Sequence, residues 1–108
     1  MVEFRWDRAF ALEQAGGDEE LLAELLALLR DSVASDLELI RAAAAAGDGV
    51  ALADAAHNTK GAAASLGMED LRWVAHELER VGRDGNLAGV EERILLLERL
   101  LVSLQDLR

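Results

Sequence analysis

The sequence predicts an all-α protein, an antiparallel up-and-down four-helix bundle with a short additional N-terminal helix. Ala and Leu together supply 41 of the 108 residues, whereas Val, Ile and Thr supply 10 and Pro is absent. This composition favours helices and leaves few strand-forming residues. Apolar residues also recur at steps of three and four in long segments separated by glycine-containing turns. Such helices pack most simply up and down around one core, so residues 1–108 are expected to form a single domain.

The first two helices are predicted from the residues that break and cap them. A short helix is expected over residues 6–15, where "GGD" at 16–18 ends it. Asp18 is a typical N-cap residue for a long second helix, which stops at Gly47. Three aromatic residues are expected to cap one end of the core: Phe4, Trp6 and Phe10.

The remaining three helices are delimited by glycines. One is expected from residue 48 or 49 to Gly67, and the next ends at the "GRDGN" turn, residues 82–86. The last helix is expected to begin near Leu87. The apolar stripes of the second, fourth and fifth helices are, in order, Leu22, Leu25, Leu29, Val33, Leu37, Ile40 and Ala44; Leu71, Val74, Leu78 and Val81; and Leu87, Val90, Ile94, Leu97, Leu101 and Leu104.

Charge and composition exclude several classes of function. The chain has 11 basic and 21 acidic residues, a net charge of −10, with no basic stripe interleaved with aromatic residues. Phosphate backbones and anionic membranes repel such a surface, so we expect no nucleic acid and no membrane as partners. Without Cys there is no disulfide or thiol chemistry, and no apolar run approaches the length of a membrane span. We expect a soluble cytoplasmic protein, with a protein partner left open.

One stretch of the third helix, "AHNTKGAAASLG" at residues 56–67, carries an unusual surface. On a helical wheel of about 100° per residue, His57 points away from the core stripe and into solvent. Lys60 and three small residues share its face: Ala53, Gly61 and Ala64. A lone exposed histidine is usually only a surface residue, and small residues more often indicate tight helix packing. Gly61 costs the helix about 1 kcal/mol relative to Ala, however, and close approach by another molecule would explain its presence.

The stretch resembles the signature of histidine phosphotransfer (HPt) domains, in which a helix bears His-x-x-Lys-Gly followed by small residues and a Leu-Gly stop. The resemblance extends to "FRWDRAF", "GGDEELLAELL", "AAGD" and "LRWVAHELE", and so covers nearly the whole chain. One position departs from the family pattern, because Thr59 stands on the core side where the family commonly carries an apolar residue such as Leu.

The resemblance implies a phosphocarrier of a multistep phosphorelay rather than an enzyme with its own ATP site. His57 would accept a phosphoryl group from the aspartyl phosphate of one receiver domain and pass it to the aspartate of another. Lys60 would stabilise the phosphoryl charge, while Ala53, Gly61 and Ala64 would form the docking face. The implied partners are response-regulator receiver domains and a hybrid sensor histidine kinase, with the carrier acting as a monomer. No cofactor or metal site is expected here, since Mg²⁺ would belong to the receiver.

Two other functions remain open, and several charged residues are expected to have none. The chain could be a helical interaction adaptor without phosphoryl chemistry, or the phosphoacceptor and dimerisation region of a sensor kinase. The kinase reading is disfavoured because those regions usually carry an acidic residue after the His and then a Pro, whereas Asn58 follows His57. His76 and the paired acids Glu77 and Glu79 are expected to be solvated residues on helix faces.

Overall fold

The computed structural model describes residues 5–107, which form five α-helices and no strand. The helices are α1 (Arg8–Gln14), α2 (Glu19–Ala46), α3 (Gly49–Ser65), α4 (Glu69–Asp84) and α5 (Val90–Gln105). Helices α2 to α5 each pack against the next in sequence, and α5 closes the bundle against α2. The predicted four-helix bundle with a short N-terminal helix is thus confirmed. None of the helices in this part of the chain is long and apolar enough to cross a membrane.

The helix boundaries follow from the capping residues. Asp18 accepts hydrogen bonds from the backbone N–H groups of Glu20 and Leu21 and so caps α2, as predicted. Asp48 caps α3 by accepting from the N–H of Ala51. Gly47 ends α2 in the left-handed conformation, with a φ of 68° that favours glycine.

The structure corrects two predicted helix starts. Helix α1 begins at Arg8 rather than at residue 6, because the Asp7 side chain caps it by accepting from the N–H of Phe10. Helix α5 begins at Val90 rather than near Leu87, because Gly89 has a φ of 79° and interrupts the helical backbone.

The predicted aromatic cap is confirmed only for Trp6. Its ring packs against the core, and its Nε1–H donates a 2.9 Å hydrogen bond to the carbonyl of Leu66. Phe10 is 37 % exposed instead of closing the core, and Phe4 lies outside the described residues. Most of the core comes from the four long helices; its largest fully buried apolar side chains are Leu22, Val33, Ile40, Leu52, Met68, Leu71, Val74, Leu78, Leu97, Leu100 and Leu104.

Helices α3 and α4 come into backbone contact at a pair of glycines. A Cβ atom added to Gly82 would lie 2.5 Å from the carbonyl oxygen of Gly49 and 2.8 Å from the backbone N of Ala53. Neither glycine can therefore gain a side chain without the helices separating. This contact fixes the spacing between the two helices over the two turns of α3 that precede His57.

Candidate functional site around His57

His57 stands exposed near the middle of α3. Its side chain is 63 % exposed, and Gly61 and Ala64 on the same face are also open to solvent. A Cβ atom added at Gly61 would meet no atom within 4 Å outside its own helix. The predicted solvent-facing surface of α3 is confirmed at these three positions.

Ala53 does not lie on this exposed surface, so its predicted place in the docking face is wrong. It is only 1 % exposed, because α4 crosses α3 there and brings Gly82 against it. A helical wheel gives the angle of Ala53 about the α3 axis but not the position of the neighbouring helix. The small side chain at this position therefore serves tight helix packing.

A carboxylate that was expected to face solvent lies beside the imidazole. Glu79 of α4 has only 8 % of its side chain exposed, and its Oε2 lies 2.9 Å from Nδ1 of His57. The same oxygen accepts a 2.8 Å hydrogen bond from Nη2 of Arg83, while Nζ of Lys60 lies 2.5 Å from Oε1. The contact between Lys60 and Oε1 is an ion pair. Three basic side chains thus converge on one carboxylate.

These contacts fix the charge of Glu79. They lower its pKa from 4.5 to about 2, with the contact to Lys60 the largest cause, while burial acts in the opposite direction. The carboxylate is therefore ionised at neutral pH and can only accept hydrogen bonds. The proton in the contact with His57 must then reside on Nδ1, an assignment that follows from the hydrogen-bond network. In the neutral imidazole this leaves the lone pair on Nε2, the nitrogen turned away from Glu79.

The expectation that Glu77 and Glu79 are solvated was wrong, because only 17 % of the Glu77 side chain is exposed and only 8 % of that of Glu79. The position of Glu79 in the sequence indicated burial, because it follows Ala75 by four residues and precedes Gly82 by three, and helical residues at these spacings share a face. Both of those residues are buried against the bundle. Glu77 contacts Arg93 of α5, and its contacts with Arg80 and Arg93 lower its pKa.

A second carboxylate holds α3 from the opposite side. Asp36 of α2 is 5 % exposed and accepts hydrogen bonds from Nδ2 of Asn58 at 2.9 Å and from Oγ1 of Thr59 at 2.8 Å. Thr59 faces the core as expected, with no exposed surface. Its hydroxyl is satisfied by Asp36, which explains why a polar residue is tolerated at this buried position.

Two further residues of α4 carry exposed side chains. His76 is exposed on α4, as expected for a solvated surface residue. Trp73 is 53 % exposed on the same helix. Neither makes a hydrogen bond to His57, Lys60 or Glu79 in the described part of the chain.

The site thus places an exposed imidazole, whose Nε2 makes no hydrogen bond within residues 5–107, near an ammonium on one helix of a four-helix bundle, an arrangement that fits histidine phosphotransfer domains. The comparison with known sequences gives the same class, because the sequence model described as "Hpt domain" matches residues 24–107. The chain therefore belongs to the Hpt domain family. It is a phosphorelay carrier, whose family partners are receiver domains and histidine kinases.

Solved structures agree with this membership. Histidine-containing phosphotransfer protein B (HptB) from Pseudomonas aeruginosa PAO1 is 27 % identical, with a TM-score of 0.85 over 93 % of this chain and 87 % of that one. The HPT domain from the Hpt sensor hybrid histidine kinase of Shewanella is 21 % identical and shares the fold, with a TM-score of 0.73 over 93 % and 90 % of the two chains. No curated protein matches the sequence.

Proposed function

We propose that His57 is the phosphoacceptor of this carrier and that Nε2 is its nucleophilic atom. The observation that carries the proposal is the Nδ1 contact with the ionised carboxylate of Glu79. Because that contact keeps the proton on Nδ1, the lone pair of the neutral ring is on the exposed nitrogen. No general base is needed for such an attack, since Nε2 has no proton to lose.

The transfer step then balances without a further reactant. Nε2 of His57 attacks the phosphorus of a receiver aspartyl phosphate, a P–N bond forms, and the P–O bond breaks as the aspartate leaves with its electron pair. The proton stays on Nδ1, so the phosphorylated ring carries a positive charge that faces the Glu79 carboxylate. Attack by the aspartate of another receiver reverses these changes and passes the group on.

Lys60 supplies positive charge beside the phosphoryl group. Its side chain is 27 % exposed and lies one turn along α3 from His57. Phosphoryl transfer depends mainly on positioning and charge stabilisation, which an ammonium can provide without acting as an acceptor. We assign Mg²⁺ to the receiver and propose no cofactor or ATP site for this chain.

The docking face comprises Gly61 and Ala64 and extends toward α2. Beside them a groove of about 370 Å³ runs between α2 and α3, lined by residues that include Leu25, Leu28 and Ser65. Leu28 is 64 % exposed there. Small side chains around His57 and an apolar groove at their edge suit a receiver that must approach to within bonding distance of Nε2.

The wider setting of the relay is also a proposal. We infer a hybrid sensor histidine kinase as the upstream partner, and a monomer in the cytoplasm as the working form. A helical adaptor without phosphoryl chemistry is the alternative function, and family membership disfavours it.

Incubation with phosphorylated receiver domains tests the proposal. The chain should acquire an acid-labile, alkali-stable phosphate, and His57→Gln should abolish it. Because His57 is largely exposed, the free energy of unfolding of this variant should stay within about 1 kcal/mol of the parent. His76→Gln is the matched control and should take up phosphate normally. Uptake that persists in His57→Gln, or is lost in His76→Gln, would refute the assignment.

A further inference from the structure

Arg83 is a cation at the site to which neither the sequence pattern nor the proposed transfer step gives a role. It lies one turn after Glu79 on α4, and its Nη2 shares the oxygen Oε2 with Nδ1 of His57. Its side chain is 58 % exposed, compared with 27 % for Lys60. The guanidinium is therefore close to the imidazole and still free to reorient.

The charges of the site show why a second cation matters. With Glu79 ionised, the charges of Glu79 and Lys60 cancel, and the neutral imidazole adds none. Arg83 alone makes the cluster net positive. The chain carries a net charge of −10, so a dianionic phosphoryl group would otherwise meet a neutral site on an acidic protein.

Phosphorylation of His57 also changes the balance of charge around the Glu79 carboxylate. In the proposed transfer step the phosphorylated ring keeps its Nδ1 proton and becomes positively charged. This ring charge can then balance the Glu79 carboxylate through the existing 2.9 Å contact. With this charge beside it, the Glu79 carboxylate stays paired even if Lys60 or Arg83 moves away. Arg83 is the more exposed of these two cations.

We propose that Arg83 is a phosphoryl-binding residue, whose guanidinium exchanges Oε2 of Glu79 for a phosphoryl oxygen once His57 is phosphorylated. The inference rests on the proposed function of His57. No covalent bond changes in this step, since one charge-assisted hydrogen bond replaces another. A guanidinium suits the task because its planar set of donors matches phosphate oxygens.

A neighbouring arginine provides a matched control. Arg80 lies on the same helix with 50 % of its side chain exposed, but it pairs with Glu77 and Asp84 rather than with Glu79. Replacing either Arg80 or Arg83 by Gln removes one positive charge from the protein. Only Arg83→Gln removes a cation from the cluster around Glu79.

The experiment measures the equilibrium of the phosphoryl group between a phosphorylated receiver domain and the full chain. Arg83→Gln should reduce the equilibrium constant for phosphate on His57 by about threefold to tenfold, the range expected for a charge-assisted hydrogen bond at a half-exposed site. Arg83→Lys should recover part of the loss, and Arg80→Gln should match the parent. In the parent, the ¹⁵N resonances of the Arg83 guanidinium should shift when His57 becomes phosphorylated.

The outcomes separate this inference from the proposed function. If the parent takes no phosphate on His57, the proposed function fails and this inference with it. If the parent is phosphorylated normally but Arg83→Gln behaves like Arg80→Gln, only the role of Arg83 is overturned. Direct binding of the phosphoryl group is supported if Arg83→Gln lowers the equilibrium constant as much in a Glu79→Gln background as in the parent. The Arg83 guanidinium resonances should then shift on phosphorylation in the parent and in Glu79→Gln alike. A loss that disappears in that background refutes it, because Arg83 would then act only through Glu79.

Discussion

Replacing Glu79 by Gln should destabilise the fold in a way that depends on pH. The substitution preserves the shape of the side chain but removes the charge that Lys60, Arg83 and His57 contact. The lowering of the Glu79 pKa from 4.5 to about 2 corresponds to an upper limit of about 3 kcal/mol, at about 1.4 kcal/mol per pKa unit. Two of the partners are more than half exposed, so solvent screening reduces the expected loss to about 1 to 2 kcal/mol at neutral pH.

The sign of the pH dependence follows from the direction of the shift. Because the folded protein holds the pKa of Glu79 below the unfolded value of 4.5, its stabilisation is fully present above that pH. It is lost as the pH falls toward about 2. The difference in unfolding free energy between the parent and Glu79→Gln should therefore shrink by about 1 kcal/mol between roughly pH 6 and pH 3.

Urea unfolding followed by circular dichroism at a series of pH values measures this difference. Other carboxylates titrate in the same range, but comparison with the parent at each pH cancels their contribution. Glu24→Gln, at an exposed position of α2, is the matched control and should change stability by no more than about 0.5 kcal/mol. A Glu79→Gln deficit that is absent at neutral pH, or that stays constant on acidification, would refute the reasoning.

Four further substitutions, at three positions, test the packing of α3 and the docking face. Thr59→Leu should cost about 1 to 3 kcal/mol, because it deprives the buried Asp36 carboxylate of a donor; a raised melting temperature would show that the family's usual leucine fits here. Gly82→Ala should destabilise the bundle by about 1 to 3 kcal/mol through its clash with the α3 backbone, whereas Gly61→Ala should stabilise it by up to about 1 kcal/mol. Equal effects of these two alanines on thermal unfolding would contradict the assigned contacts. Gly61→Gln should weaken receiver binding in a titration without lowering stability, and unchanged affinity would remove Gly61 from the docking face.

Local sequence signals predicted the parts of the fold that depend on one helix at a time. Asp18 and Gly47 bound α2 where capping chemistry places them. The helical wheel correctly placed His57 on the solvent side of α3 and Thr59 on the core side, since exposure at these positions depends on angles about a single helix axis. The starts of α1 and α5 were missed although their signals, the Asp7 cap and the left-handed Gly89, are equally local.

The parts of the site that depend on two helices could not be predicted in this way. Ala53 was misplaced because its burial depends on where α4 crosses, and Glu79 because many similar acids occupy helix faces. The partnership of Asp36 with Thr59 joins residues 23 positions apart in sequence. It requires the relative register of α2 and α3, which no periodicity within either helix contains.

The two carboxylates on either side of α3 have a consequence for transferring this site to another scaffold. Between Leu52 and Leu66, every buried side chain of α3 is an alanine except Thr59, so bulky interlocking residues cannot set the rotation of the helix. The hydrogen bonds that α3 donates to Asp36 and its ion pairs with Glu79 hold the helix in place instead, from two neighbouring helices on opposite sides. A His-x-x-Lys-Gly segment grafted onto a plain alanine-rich bundle would be free to turn, and its imidazole would lose a fixed direction. A working graft must therefore carry both acids, each on the helix that flanks the grafted one.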